Sequence, residues 1–325
     1  MTAVGIDAIE VWLPEDRTPI RDLAEYAALT EPDRTLVDGL GIASVPDAGD
    51  SQGTDLAVEA VRALLDRTGL RPGEVDALLL IGGRAPEYLM ASESTRVQHE
   101  TGLSSALSFS VSDLGCASIS TALLTARSLL LSTSDWRHVV VAHGCVRPGP
   151  GRIRLPVTVN GDAGLAVLLR PRATALRIVD VVVETDGRFW DLFRVEYRGV
   201  PPERWREVCA DPARYSFELA LESRNRLDRL NRQVLDRNGL AMTDVDHVLM
   251  QNVSTGAFRF YEEAFDVEIA KVCERNLAGY GHLGPVDVMA NLDAGVTSGQ
   301  FEPGDLVLVM NNSPAAAWSS MLVEV

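Results

Sequence analysis

Apolar and polar positions divide the chain into alternating strand-like and helix-like stretches. The runs ALLLIGG at 77–83 and HVVVAHG at 138–144 are continuous and apolar, as is typical of strands buried on both faces. Before the first of them, residues 51–68 repeat apolar side chains at the spacing of one helix face. This alternation predicts an α/β fold.

The stretch Val111 to Ser132 joins a predicted strand to a predicted helix through Gly115 and a cysteine. The helical pattern places four apolar side chains on one face: Ile119, Leu123, Ala126 and Leu130. Cys116 therefore lies at a strand-to-helix turn, where backbone N–H groups and the helix dipole lower the pKa of a thiol. On this stretch alone, an activated nucleophile and a small buried core cysteine are both open interpretations.

The second half of the chain repeats the first at a nearly constant offset. Four residues recur 170 positions later: Gly69, Leu70, Val75 and Asp76 as Gly239, Leu240, Val245 and Asp246. The strand at Val139 to Val141 recurs 168 positions on, at Val307 to Val309. Such similarity is the mark of a duplicated unit, which we divide into halves 1–171 and 172–325.

The duplication predicts a second glycine turn opposite the first, in the segment GYGHLGPVDV at 279–288. His282 lies in this turn and Asp287 about one turn into the following helix. Two equivalent helix N-termini facing each other across a pseudo-dyad would bring His282 towards Cys116. A thiolate beside an imidazole that a carboxylate orients is an activated nucleophile. The alternatives are a loop histidine bound to backbone and an ordinary first-turn acid, and His143 is a reserve candidate.

Charge and composition exclude several classes of function. The 325-residue chain has a net charge of −16, which argues against a nucleic-acid or anionic-membrane partner. No apolar run approaches the length of a membrane span, and the start lacks the pattern of a secretory signal. The 4 cysteines lie far apart without CxxC or zinc spacing. We therefore expect a cytoplasmic globular protein without a metal or cofactor.

Several motifs together resemble a known family: GIDAIEVWLP, DLGCASISTALLTA, NGDAGLAVLL, TDGRFWDLF, GYGHLGPVDV and PGDLVLVMNNSPAAAWSS. The chain resembles the thiolase superfamily, and within it the ketoacyl-ACP synthase III group with its acyltransferase relatives of natural-product pathways. The resemblance implies a homodimer with duplicated βαβαβαββ halves in a five-layer αβαβα sandwich. It also implies that Cys116 accepts the acyl group, and that its N–H and the 312–314 loop, at Ser313, form the oxyanion hole.

Two departures from the family pattern change the type of reaction that we expect. The histidine of condensing members falls here on Met250, in the segment MQNV, and their asparagine falls on His282. Methionine cannot donate a hydrogen bond to a developing enolate. We therefore expect transfer of an acyl group from a thioester, through acyl-Cys116, to a hydroxyl or amine, with His282 as base and Gln251 and Asn252 orienting the acceptor. The alternatives are a decarboxylative starter-unit condensing enzyme and a non-catalytic or acyl-hydrolysing partner of a synthase.

The resemblance also bears on the acyl donor. Members that use CoA carry a Trp and an Arg near the mouth of the site, but the matching stretch at 34–42 has no Trp and has Gly39 in the arginine place. This favours an acyl carrier protein over acyl-CoA. Arg214, Arg259 and the arginines of a predicted helix at 216–237 offer a basic docking patch, and Phe217 matches an aromatic that borders the pantetheine tunnel. The alternative is a solvated helix face balanced by Glu218, Glu222 and Asp228.

Overall fold

The computed structural model describes residues 4–83, 86, 88–147, 149–173 and 175–325. The strands are β1 Val4–Trp12, β2 Arg17–Pro19, β3 Ser44–Pro46, β4 Ala77–Ile81, β5 Leu107–Val111, β6 Val139–Cys145, β7 Ile153–Arg154, β8 Thr158–Val159, β9 Ala163–Pro171, β10 Leu176–Thr185, β11 Phe193–Val195, β12 Glu207–Cys209, β13 His247–Met250, β14 Leu306–Ser313 and β15 Ala317–Glu324. The helices are α1 Ala24–Ala27, α2 Glu31–Asp38, α3 Gly53–Thr68, α4 Glu93–Glu100, α5 Ser118–Ser132, α6 Ala220–Asp236, α7 Thr255–Phe265, α8 Lys271–Tyr280 and α9 Asp287–Thr297.

Within the described residues, nine strands form one mixed sheet in the order β13-β14-β15-β10-β1-β9-β6-β4-β5. The order β4-β6-β9-β1 is repeated as β13-β14-β15-β10, and each half begins with a parallel pair, β4 with β6 and β13 with β14. Beside β13, a parallel bridge between Val248 and Ile269 stands where β5 stands beside β4. The strand order therefore has the symmetry expected of a duplicated unit, while the boundary after residue 171 stays a prediction.

The helices form layers on both faces of the sheet. In β4, Leu78 and Leu80 pack in one cluster with α3, whereas Leu79 and Ile81 pack in another with α5, because successive side chains of a strand point to opposite faces. α5 also contacts β10 of the second half, and α9 contacts β13 and β14 as well as β1. α6 packs on β10, β14 and β15. The two halves of the sheet thus lie on either side of α5 and α9, while α3 and α6 cover the outer faces. This arrangement is the predicted five-layer α/β sandwich.

The central helix α5 is apolar because both halves of the sheet pack on it. Ile119, Leu123 and Ala126 have no exposed surface. By length and composition alone, Gly115–Ser132 could cross a membrane, but 50% of this stretch is buried inside the protein, as in the core helix of a folded domain.

One detail differs from the sequence expectation. The predicted helix at 216–237 begins as a π-helix, Arg214–Leu219, and continues as α6 to Asp236. The segment before it contains β12, which pairs with β11 in a two-stranded sheet.

Candidate active site

Cys116 lies where β5 gives way to α5. After Val111 the chain turns through Gly115, whose φ is +54°, and a 3₁₀ turn, Gly115–Ala117, leads into α5. A Cβ on Gly115 would lie 2.3 Å from Ser313 Oγ, so only glycine fits beside the turn that joins β14 to β15. Cys116 is therefore held at the N-terminus of a buried helix with 2% of its surface exposed.

His282 lies in the equivalent turn of the second half. Gly281 and Gly284 have φ of +62° and +60°, and a 3₁₀ turn, Gly284–Val286, leads into α9. Gly284 follows Gly115 by 284 − 115 = 169 positions, which agrees with the offset of the sequence repeat. The two 3₁₀ turns contact each other. The pseudo-dyad therefore brings His282 to Cys116, as the sequence analysis predicted.

Cys116, His282 and Asp287 form one hydrogen-bonded row. His282 Nε2 lies 3.2 Å from Cys116 Sγ, and His282 Nδ1 lies 2.6 Å from Asp287 Oδ2. The Asp287 carboxylate also accepts the backbone N–H groups of Leu283 at 2.7 Å and Asn252 at 3.0 Å. Asp287 has no exposed surface, so these bonds fix its orientation and that of the imidazole.

The charges in this row favour a protonated imidazole. Burial by itself lowers the pKa of His282, but the negative charges of Cys116 and Asp287, with hydrogen bonds to both, raise it to about 10. Near neutral pH the ring therefore holds two protons and stabilises a thiolate on Cys116. The N-terminus of α5 stabilises the same charge.

Two cavities meet at Cys116 and His282. The strand-end cavity, about 430 Å³, lies at the carboxyl ends of β4 and β6 and is lined by Ile81, His143 and Cys145 among others. The hairpin cavity, about 320 Å³, is lined by Met250, Gln251 and the 312–314 turn between β14 and β15. The Cys116 side chain can therefore be approached from two sides.

The two polar residues predicted to lie near Cys116, His282 and Asp287 take different positions. Gln251 lines the hairpin cavity and its Oε1 accepts the Asn312 N–H at 3.0 Å. The Asn252 side chain is fully buried, exchanges hydrogen bonds with Asn291 and does not line either cavity. Asn252 thus reaches the site through the N–H that it donates to Asp287. The structure places Gln251 in the wall of a cavity that Cys116 also lines, and turns the Asn252 side chain away.

Ser313 is the last residue of β14, lies beside the 3₁₀ turn Gly115–Ala117 and lines the hairpin cavity. Two positions before it, Asn311 donates its amide to the Cys116 carbonyl at 2.8 Å. Asn311 was not predicted from the sequence, although it belongs to the same terminal motif, MNNSP. Met250 is 1% exposed and lines the hairpin cavity, so the position at which the resemblance implies a histidine in condensing members does face the site.

The predicted carrier-binding residues lie on the surface near the hairpin cavity. Phe217 is 75% exposed, while its neighbours Ser216 and Ala220 line that cavity. Arg259 is exposed and has no ion-pair partner among the described residues, whereas Arg214 lies 3.5 Å from Asp191 and 3.7 Å from Glu218.

Most arginines of α6 are also neutralised by neighbouring acids. Their ion pairs are Arg226 with Glu184, Asp186 and Glu222, Arg229 with Glu184, and Arg232 with Asp228. The helix face is therefore closer to the balanced alternative. Among the described residues of this region, Arg224, which donates to Asn225, and Arg259 are exposed and have no acidic partner.

Residues 235–325 match the family model of the 3-oxoacyl-(acyl-carrier-protein) synthase III C terminal. The beta-ketoacyl-(acyl-carrier-protein) synthase III of Thiobacillus denitrificans is 25% identical over 294 residues, which cover 90% of each chain. That of Cereibacter sphaeroides is 26% identical over 319 residues, which cover 96% of each chain.

Solved structures show the same fold. The structure of the acyltransferase ChlB3 superposes on this chain with a TM-score of 0.84 at 19% identity. The match covers 99% of this chain and 98% of the ChlB3 chain. The tetronic acid condensing enzyme AbyA1 gives a TM-score of 0.80 at 22% identity, covering 99% and 100%. The family model, the curated relatives and the fold confirm the predicted resemblance of this chain to the ketoacyl-ACP synthase III group of the thiolase superfamily.

Proposed function

We propose that this protein is an acyltransferase that moves an acyl group from a carrier thioester, through acyl-Cys116, to a hydroxyl or amine acceptor in a natural-product pathway. One observation carries the proposal: the row Cys116, His282 and Asp287, with 3.2 Å between Sγ and Nε2 and 2.6 Å between Nδ1 and Oδ2. A nucleophile, a base and an orienting carboxylate are the groups that acyl transfer to oxygen or nitrogen requires.

In the loading step, the Cys116 thiolate attacks the thioester carbonyl and a bond forms between Sγ and the acyl carbon. The backbone N–H groups of Cys116 and Ser313 would stabilise the oxyanion. The carbon–sulfur bond to the carrier then breaks, and the protonated His282 gives its Nε2 proton to the departing carrier thiolate. The products are acyl-Cys116, a free carrier thiol and a neutral His282.

In the transfer step, acylation itself prepares the base. Because the thioester carries no charge, one of the two negative groups that raise the pKa of His282 has disappeared. Neutral His282 can now take the proton of a hydroxyl or amine as it attacks the acyl carbon. The bond to Sγ breaks, the acceptor leaves as an ester or amide, and thiolate and imidazolium are restored.

Carbon–carbon condensation fits this site less well. Decarboxylation of a malonyl group produces an enolate, which hydrogen-bond donors facing the nucleophile must stabilise. Met250 faces the hairpin cavity where the family histidine would stand, and a thioether offers no donor. In the acylated enzyme His282 is neutral and its Nδ1–H is held by Asp287, so its Nε2 offers a lone pair and no donor to an enolate.

The donor and the assembly are further parts of the proposal. We favour an acyl carrier protein as donor, docked at Arg259 and Phe217, with the charge of Arg214 shared with its acidic neighbours. A homodimer would cover β5, which is the last strand of the sheet and leaves Leu107 53% exposed. The four cysteines of the chain are free thiols, as is typical of proteins in a reducing cytoplasm, which we propose as the location.

Intact-mass measurement with a panel of acyl thioesters tests the proposal. We expect the wild type to gain the mass of one acyl group and Cys116→Ala to gain none. His282→Ala should still be loaded, more slowly, and should lose the adduct to an added amine much more slowly than the wild type. An adduct on Cys116→Ala would contradict the nucleophile, and free acid as the sole product would support a hydrolysing gatekeeper instead.

A further inference from the structure

A second histidine lies in the strand-end cavity, apart from the triad. His143 is near the carboxyl end of β6, is 4% exposed and lines the same cavity as Cys116. Its Nδ1 lies 2.9 Å from the carbonyl oxygen of Ile81, its register partner at the end of β4. This contact fixes the ring between two parallel strands at the edge where ligands of α/β sheets bind.

The tautomer of His143 follows from its partner. A backbone carbonyl can only accept a hydrogen bond, so Nδ1 must carry the hydrogen. Burial lowers the pKa of His143 to about 4, so the ring is neutral near pH 7. Nε2 therefore carries a lone pair, and it has no hydrogen-bond partner among the described residues.

This lone pair is available to a molecule in the strand-end cavity, which His143 lines. A water or a ligand donor can pair with it there, whereas an apolar side chain at this position would offer no acceptor. The preceding residues of β6, Val141 and Ala142, are apolar and fully buried, so an apolar side chain would suit this part of the strand. His282 differs, because both of its ring nitrogens are already engaged.

We propose that His143 Nε2 accepts a hydrogen bond from a hydroxyl or amine of the substrate in the strand-end cavity, and that the protein thereby favours substrates with such a donor over alkyl analogues. The inference deepens the acyl transfer proposed above and rests on it. Both the acyl group and the acceptor reach Cys116, so the donor belongs to one of these two molecules. A site built to pair a polar group rejects an analogue that lacks it.

The first arm of the test measures binding without chemistry. In a Cys116→Ala background, the N-acetylcysteamine thioesters of 3-hydroxybutanoic acid and butanoic acid are compared by calorimetry. We expect the hydroxylated thioester to bind about tenfold more tightly, as one added hydrogen bond allows. His143→Leu should reduce that ratio to about one, while His143→Gln, which keeps an acceptor oxygen, should retain part of it.

Two controls separate selection from packing. Val146→Ala changes the wall of the same cavity without removing a polar atom, so it should alter the affinity for both thioesters alike. Thermal unfolding of His143→Leu and His143→Gln establishes that both variants fold.

The second arm places the donor on the acceptor. Wild-type protein carrying a butanoyl group on Cys116 is chased with 1,4-butanediol or 1-butanol. A His143-dependent preference for the diol, corrected for its two hydroxyls, would assign the donor to the acceptor. Absence of a His143-dependent preference in both arms would overturn the inference. If no butanoyl adduct forms at Cys116, the proposed transfer fails, but a His143-dependent ratio in the binding arm still supports the role of His143.

Discussion

Replacing Asp287 by asparagine tests how the carboxylate works. In the wild type, Oδ2 accepts from His282 Nδ1 at 2.6 Å and from Asn252 N at 3.0 Å, and Oδ1 accepts from Leu283 N at 2.7 Å. An amide has one acceptor oxygen, so at least one of these donors must face an NH₂ group. The substitution also removes one of the two negative charges that raise the pKa of His282.

The expected size of the effect follows from these bonds. Loss of a hydrogen bond between charged groups costs about 1.5–3 kcal/mol, which corresponds to a rate loss between about 10-fold and about 100-fold. Acyl transfer from loaded Cys116, followed by intact mass in a single turnover, should slow by this factor in Asp287→Asn. Because the pKa of His282 falls, alkylation of Cys116 by iodoacetamide should also require a higher pH than in the wild type.

Asp293→Asn is the matched control, because Asp293 lies in the same helix α9 and makes no contact with the triad. It should leave both measurements unchanged. A transfer rate for Asp287→Asn within twofold of the wild type, with an unshifted alkylation profile, would refute the role given to this carboxylate.

Three further predictions follow from the site. His282→Ala removes the cation beside Sγ, so the midpoint pH for alkylation of Cys116 should rise towards about 8.5, the pKa of a free thiol. An unchanged midpoint would mean that the ring does not stabilise the thiolate. Gly115→Ala should be less stable than Gly69→Ala by about 1–3 kcal/mol in urea unfolding. Both glycines have positive φ, but an added Cβ would lie 2.3 Å from Ser313 Oγ at Gly115 and would meet nothing within 4 Å at Gly69, so equal losses would refute that contact. Arg259→Glu should weaken the binding of an acyl carrier protein, measured by calorimetry, about threefold to tenfold. Acylation of Cys116 by a small thioester should be unchanged, and unaltered carrier-protein binding would exclude this docking surface.

Sequence periodicity and repetition predicted the fold and the proximity of Cys116, His282 and Asp287. The buried strands at Ala77–Ile81 and Val139–Cys145 carry continuous apolar runs, because helices cover both of their faces. The repeat placed His282 opposite Cys116, since a pseudo-dyad relates the two helix N-termini. These features depend on local pattern and symmetry, both of which a single sequence contains.

Side-chain directions at the site could not be read in the same way. Gln251 and Asn252 are adjacent in sequence, yet one lines the hairpin cavity and the other faces Asn291, because consecutive residues after a strand point to different sides. The arginines of α6 looked like a docking patch because their partners, Glu184 and Asp186, come from a distant strand and the turn after it. Asn311 was missed because its contact with Cys116 spans 195 positions.

The central claim is that acyl-Cys116 is handed to oxygen or nitrogen and not to carbon. The most direct measurement loads the wild-type protein with an acyl group, divides it, and adds an amine acceptor to one part and radiolabelled malonyl-ACP to the other. We predict that the amine removes the adduct from Cys116 as an amide, and that malonyl-ACP releases no carbon dioxide above the Cys116→Ala background. Carbon dioxide release coupled to a 3-oxoacyl product would contradict the account and make this protein a condensing enzyme.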